Sequence, residues 1–299
     1  MNVLVTGGAG FIGSHTVDKL VSAGISTVVI DRTEPKYKND KATYYRLDLN
    51  DPAAENVFKT HSFDCVIHLA AQASVAVSVA DPVKDATDNV MASVRVIEYC
   101  KKYDVKKIIV SSSAALYAVP QYLPVDEKHP VSFLSPYALS KHAMEEYVKL
   151  SGLDYIIFRY ANVYGPRQDP HGEAGVVSIF IEKMIKGLPL EIHGDGEQTR
   201  DFVYVADVAE TNCRAVLSPA SGVVLNVSTN TQTSVNDLFA LIKENTDYTL
   251  APVAAPSRAG DIKHSVLNNA LAAEILDFKP ETTLADGLEE TVAFFKQTY

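Results

Sequence analysis

Tyr137 and Lys141 lie four residues apart in Tyr137-Ala138-Leu139-Ser140-Lys141, a spacing that puts two side chains on one face of a helix. Ser135-Pro136 just before them reads as the helix start, since proline is favoured in a first turn. A tyrosine in water ionises near pH 10, so a phenol acting as a base at neutrality needs roughly 4 kcal/mol of assistance. One cation a few ångströms away supplies about 1 to 4 kcal/mol according to the local dielectric, and a second positive charge nearby would complete the shift. By itself the pattern also fits a surface tyrosine lying over a lysine stem. Upstream, Ile108-Ile109-Val110 reads as a buried strand delivering Ser111-Ser112-Ser113 at its C-terminal end, where doubly wound sheets bind ligands. A serine there is placed to hydrogen-bond the substrate hydroxyl that the tyrosine deprotonates.

A second constellation opens the chain. Gly7-Gly8-Ala9-Gly10-Phe11-Ile12-Gly13 follows the apolar run Val3-Leu4-Val5 and precedes a helical pattern with Val17, Leu20 and Val21. Strand, glycine turn and helix N-terminus together suit a dinucleotide pyrophosphate. Side chains at Gly7, Gly10 or Gly13 would hold the backbone off the phosphates, and the first-turn N–H groups and helix dipole attract negative charge. A second apolar run, Thr27 to Ile30, ends on Asp31, 18 residues beyond Gly13. An acidic residue there can bind both ribose hydroxyls of NAD and repel the extra phosphate of NADP. The neighbouring Arg32 is either a solvated loop charge or a partner for such a phosphate.

The elements that position these groups follow from hydrophobic patterning. Strand-like runs recur at residues 2–6, 26–31, 43–47, 64–69, 106–111 and 154–160, with helical patterns between them, among them helices near 84–101 and 135–151. That alternation builds an α/β fold with a doubly wound parallel sheet of the Rossmann kind. Up to about residue 165 the chain fits an NAD-binding domain. Beyond it the spacing is irregular, with a glycine turn at His193-Gly194-Asp195-Gly196 and a proline-punctuated loop from Ala251 to Pro256. Residues 166–299 read as a smaller C-terminal substrate-binding α/β region, of which about 201–230, including Val223 to Val227, returns to the sheet.

At 299 residues the chain is long enough for a large core. No stretch approaches the roughly 18 apolar residues of a membrane span, and no signal peptide is legible, so a cytoplasmic enzyme without membrane partners is expected. A net charge of -10 argues against a nucleic-acid surface. Cys65, Cys100 and Cys213 are odd in number and far apart in apolar stretches, which suggests buried thiols rather than disulfides or a metal site.

Several blocks in this order resemble the extended short-chain dehydrogenases/reductases, and most of all the UDP-glucose (UDP-galactose) 4-epimerases. They are the glycine motif, His68 to Gln72, Ser111 to Tyr117, Tyr137 with Lys141, Arg159 to Arg167, Gly194 to Tyr204, and Arg258 to Asp261. The resemblance implies catalytic roles for Tyr137, Lys141 and Ser113. It implies an NAD site lined by Phe11, Ile12, Asp31, Asp48, Leu49, Leu69, Ala70, Ala71, Asn89 and Ser111, with Asp48 near the adenine and Lys141 also on the nicotinamide ribose. It further implies UDP-sugar contacts at Asn162, the backbone near Gly175 and Val176, Glu191, Ile192 and His193 beside uracil, and Arg200, Arg258 and Asp261 on diphosphate and ribose. The two arginines are donors of the kind a diphosphate needs. A homodimer is implied too, with Val90, Val94, Ile97, Met144, Tyr147 and Val148 as apolar candidates; burial of these residues against the sheet fits the pattern equally well.

The resemblance also narrows the reaction. Related dehydratases carry an Asp-Glu pair where this chain has Ala114 and Ala115, and related decarboxylases keep a glutamate there. Without that extra acid–base group, oxidation and reduction at one carbon remain. The expected reaction is 4-epimerisation of a UDP-hexose through a transient 4-keto sugar. Val75-Ala76 stands where uronate-specific relatives often place Val-Arg, and Ser265 stands where hexose-restricted relatives carry a tyrosine, leaving room for an N-acetyl group. Ala118 replaces a glycine usual in the family. The rivals are a dehydrogenase of the same fold that releases NADH, such as the L-threonine dehydrogenases, and a catalytically silent NAD-binding regulator.

Overall fold

The computed structural model describes residues 1–171, 175–257 and 262–298. The six expected runs are strands β1 (Asn2–Thr6), β2 (Ser26–Asp31), β3 (Thr43–Arg46), β4 (Cys65–His68), β5 (Lys107–Ser113) and β6 (Asp154–Tyr160). After them β7 (Asn162–Tyr164), β8 (Glu191–His193), β9 (Thr199–Arg200) and β10 (Phe202–Tyr204) stay outside the main sheet, whereas β11 (Val223–Val227) returns to it. The order is β11-β6-β5-β4-β1-β2-β3, and every pairing is parallel. Strand order reverses between β1 and β4, so their C-terminal ends flank the crevice where open sheets take ligands.

Each strand alternates its apolar side chains between two covers. Val3 and Val5 face one core with Val17 and Leu20 of α1 (Phe11–Ser22), while Leu4 faces the other. That second core is closed by α2 (Glu55–Thr60), α5 (Ala92–Lys102) and α6 (Pro136–Leu150); the short helices α3 (Val75–Ala80) and α4 (Pro82–Ala86) pack against α6. Full burial of one such aliphatic side chain is worth about 1.5–3 kcal/mol, which holds the helices flat on the sheet. α7 (Val176–Ile185) belongs to a separate apolar cluster, α8 (Val205–Leu217) lies beside α1, and α9 (Val235–Glu244) joins α7. Strands β12 (Thr233–Ser234) and β13 (Val253–Ala255) and helices α10 (Ala270–Leu276) and α11 (Leu284–Thr298) complete the chain, α11 closing the α7–α9 cluster.

Three expectations are corrected. The pattern over 84–101 is not one helix: α4 starts at Pro82, a π turn spans Thr87–Met91, and α5 follows. The Ala251–Pro256 loop contains β13, paired in parallel with β8. Ile97, Met144 and Val148 belong to the core under the sheet, so they are not available to a dimer interface; Tyr147 is exposed. Cys65, Cys100 and Cys213 are buried free thiols. Among the described residues no helix is long and apolar enough to cross a membrane.

Candidate active site

The glycine turn has a steric origin. Gly7 sits at φ +73°, and a Cβ there would lie 2.6 Å from the Ala70 backbone nitrogen; a Cβ on Gly13 would lie 2.0 Å from the Gly7 carbonyl oxygen. Only glycine lets the loop, helix α1 and the segment after β4 approach this closely. Gly10 caps α1 without any side-chain bond, and the first turn holds no acidic residue, so its N–H groups and dipole remain available to a phosphate. At the end of β2 the Asp31 carboxylate accepts hydrogen bonds from the Ala9 N–H (3.0 Å) and from the Thr33 N–H and hydroxyl (2.9 and 2.8 Å). Arg32, also on the cleft lining, donates to Asp88 at 3.0 Å, on the oxygen that Lys84 also reaches at 2.5 Å. This pair, more than a solvated loop charge, describes Arg32.

These groups line a cleft of about 350 Å³ at the C-terminal ends of the strands. Every residue expected at the cofactor lines it except Asn89, as do Tyr137, Lys141 and Ser113. Asn89 is buried behind the wall: its carboxamide accepts from the Gln72 N–H (2.8 Å) and donates to the Gln72 carbonyl (2.9 Å). Sequence reasoning missed Thr33, Asn50, Ala73, Asp88 and Ala92 on the lining. Nothing local marks Asp88 as a cleft residue: its pairing with Lys84 has the four-residue spacing of an ordinary helix-surface ion pair, and its other partner, Arg32, is 56 positions away.

Helix α6 presents Tyr137 and Lys141, the pair expected to move the proton. The Ser135 hydroxyl accepts from the Ala138 N–H and Pro136 occupies the first turn, which fixes the start of the helix. Tyr137 and Lys141 are buried at its near face, and Lys141 Nζ donates to the Ser111 carbonyl at 2.8 Å. Ser113 ends β5 at the cleft and its hydroxyl accepts from the Ala115 N–H at 3.1 Å. One further turn along α6, Glu145 binds Arg159 of β6 through two contacts of 2.9 and 2.6 Å. Arg159 in turn donates to the Tyr117 hydroxyl at 3.0 Å. Burial alone would raise the Glu145 pKa, but the Arg159 hydrogen bonds and charge hold it below the ordinary carboxylate range. Beneath the wall His68 bridges Thr6 and Ser93, and burial, aided by the Lys141 charge, pushes its pKa down to about 3.

The residues expected at the sugar nucleotide are distributed differently. Asn162 is exposed on β7, Gly175 and Val176 start α7, and Glu191 to His193 form β8, with Ile192 buried in the cluster of α7, α9 and α11. Arg200 Nη1 donates to the carbonyls of Thr199 and Ile262 at 2.8 and 2.7 Å. None of these lines the cleft described above. Arg258 and Asp261 lie outside the described residues.

A parallel doubly wound sheet with an uncapped glycine cradle, an acidic residue ending β2 and a buried Tyr–Lys pair defines a dinucleotide-dependent enzyme of Rossmann type. Comparison with known proteins makes this particular. The profile of the NAD dependent epimerase/dehydratase family matches residues 3–228. A UDP-glucose 4-epimerase of Mycolicibacterium smegmatis is 40% identical over 309 residues, covering 99% of each chain. The crystal structure of a UDP-glucose 4-epimerase from Thermotoga maritima with UDP-glucose superposes with a TM-score of 0.95 at 44% identity, covering 100% of this chain and 99% of that one. A UDP-N-acetylglucosamine 4-epimerase from Methanobrevibacter ruminantium, in complex with UDP-N-acetylmuramic acid, gives a TM-score of 0.92 at 37% identity over 100% and 99%. The chain belongs to the NAD dependent epimerase/dehydratase family. Its cradle fits that cofactor: the space that a Cβ on Gly7 or Gly13 would fill is kept clear, and Asp31 stands at the cleft.

Proposed function

We propose that the protein interconverts UDP-glucose and UDP-galactose by inversion at C4, through a transient 4-keto sugar. The observation that carries this reading is the convergence of Tyr137, Lys141 and Ser113 with the glycine cradle and Asp31 in one cleft. When bound, NAD would supply the redox change at C4, as acceptor and then donor of the hydride. Gly7, Gly10, Gly13 and the first turn of α1 would hold its pyrophosphate, Asp31 its adenosine ribose, and Lys141 its nicotinamide ribose. Tyr137, as phenolate, takes the proton from the sugar 4-hydroxyl and later gives it back; Lys141 favours the phenolate by its charge. Ser113 holds the same oxygen as it becomes a carbonyl. Ala114 and Ala115 offer no further acid or base, so elimination is not supported.

On this reading residues 1–165 hold NAD. Most of 166–299 holds the UDP-sugar through the N–H groups near Gly175 and Val176, Glu191 to His193, and Arg200 with Arg258 and Asp261, joined by Asn162 from the end of the first unit; about 201–230 returns to the Rossmann unit. Half-buried Ser265, small and anchored by its N–H on the Thr199 carbonyl, leaves space for an N-acetyl substituent. That and the UDP-N-acetylglucosamine relative support UDP-N-acetylhexosamines as second substrates. Val75, Val79, Val83, Leu139, Tyr147 and Leu150 are exposed apolar side chains on α3, α4 and α6, helices that contact one another; they would suit contact with a second copy of the chain, so a homodimer is part of the proposal. A cytoplasmic setting goes with it.

The test is incubation with UDP-galactose without added cofactor, following UDP-glucose by chromatography and the absorbance of NADH. Conversion without accumulating NADH supports the reading, and conversion that needs added NAD supports the mechanism with weak retention. Accumulating NADH would favour a dehydrogenase instead.

A further inference from the structure

Asp85, at the end of α4, is fully buried, and no step above uses it. Its Oδ1 accepts from Gln72 Nε2 at 2.8 Å and from Asn89 Nδ2 at 2.9 Å, and its Oδ2 accepts from the Ser140 hydroxyl at 2.6 Å. Each partner leads to the cleft. Gln72 lies between Ala71 and Ala73 of the cofactor wall and is gripped through its backbone by Asn89 on the π turn. Ser140 stands directly before Lys141 and three residues after Tyr137.

Burying a carboxylate is unfavourable unless its oxygens are satisfied, so a position needed only for packing would be served better by an apolar side chain. Here one carboxylate joins its own segment 82–91 to Gln72 and, 55 positions on, to Ser140 of α6, and the last two carry the walls between which hydride and proton transfer would occur. We propose that Asp85 is a positioning residue: through Ser140 it fixes the distance and angle of Tyr137 and Lys141 relative to the cofactor wall formed by residues 69–73. Lys141 on the Ser111 carbonyl and Glu145 on Arg159 hold other points of α6; Ser140 on Asp85 holds the point between Tyr137 and Lys141. A displacement of about 1 Å at such a pair lowers turnover by roughly a hundredfold.

This inference rests on the epimerase reading, and its test separates the two. Ser140→Ala removes one hydrogen bond and leaves the carboxylate in place, whereas Asp85→Asn keeps the volume but cannot accept from all three donors. Competent sites are counted by equilibrium binding of UDP and by the NAD released on denaturation. Per competent site, each variant should lower kcat for UDP-galactose by about 10- to 100-fold, with KM within threefold and the acid limb of the rate profile moved to higher pH. Ser140→Thr, which keeps the hydroxyl, should restore kcat to within threefold, and the double variant should cost no more than the worse single one. A lower melting temperature with unchanged kcat per competent site and an unmoved pH limb would overturn the proposal. If the unmodified protein epimerises nothing, the epimerase reading fails by itself. Asp85 is then judged by the ultraviolet phenolate titration of Tyr137, taken as the difference from Tyr137→Phe, and a midpoint unmoved by Ser140→Ala overturns it.

Discussion

Replacing Glu145 by alanine tests whether the buried ion pair really anchors helix α6. Glu145 is fully enclosed, and the two contacts from Arg159, at 2.9 and 2.6 Å, satisfy both carboxylate oxygens. Removing the carboxylate strands a buried guanidinium that keeps the Tyr117 hydroxyl as a partner. The loss of one member of such a pair costs about 3–5 kcal/mol, a large share of a total stability of roughly 5–15 kcal/mol. For a chain of this size each kcal/mol corresponds to about 2 °C, so a drop of roughly 6–10 °C in melting temperature is expected by calorimetry at pH 7. Glu145→Leu with Arg159→Met, which removes both charges and refills the volume, should be more stable than Glu145→Ala. The pH dependence has a definite sign. A carboxyl whose folded pKa is depressed stabilises above its unfolded pKa, near 4.3, and that contribution fades as pH falls through the folded value. The gap between the protein and Glu145→Ala should therefore shrink on acidification below about pH 4. A drop under 2 °C at pH 7, or a double variant less stable than Glu145→Ala, would refute the reasoning.

Gly13→Ala should abolish NAD retention, because its Cβ would meet the Gly7 carbonyl oxygen at 2.0 Å; stoichiometric NAD in the purified variant would contradict this. Removing Asp88 frees Arg32, so Asp31→Ser with Asp88→Ala should raise NADP affinity relative to NAD by about tenfold or more, beyond Asp31→Ser alone; titration with both nucleotides decides it. The neutral, buried His68, with a pKa pushed down to about 3, makes stability fall as pH drops below about 6.5, since the unfolded chain takes up the proton first. His68→Gln should flatten the stability–pH slope between pH 6 and 4 by up to about 1.4 kcal/mol per pH unit, measured by urea unfolding; an unchanged slope would remove His68 from the account.

Where a function depends on residues close in sequence, the chain states it openly. The glycine turn, Asp31 at the end of its strand, the Ser135-Pro136 helix start and the four-residue step from Tyr137 to Lys141 are all local, and their steric and helical logic is visible in the residue types. The alternation of strand and helix up to Tyr160 is local in the same sense, and strand Val223–Val227 was recognisable as an apolar run of the right length. The interrupted helix at 82–102 was not, because a π turn responds to what its side chains bind: Asn89 is drawn to Gln72, 17 positions away. Likewise β13 exists because β8 offers it an edge, not because Pro252 to Pro256 has strand character.

The sequence by itself determined the chemistry that is possible, since it supplies a phenol, a cation and a serine in the right order and a phosphate cradle that only glycine can build. Tertiary structure decided which of those groups meet and what holds them there. It paired Arg32 with Asp88 at the rim of the cleft and sank Ile97, Met144 and Val148 into the core. It also brought Asp85, Gln72, Asn89 and Ser140 into one buried network. The contacts of Arg32 with Asp88 and of Ser140 with Asp85 join residues 56 and 55 positions apart, and the energies of all of them depend on burial, which no local pattern of residue types records.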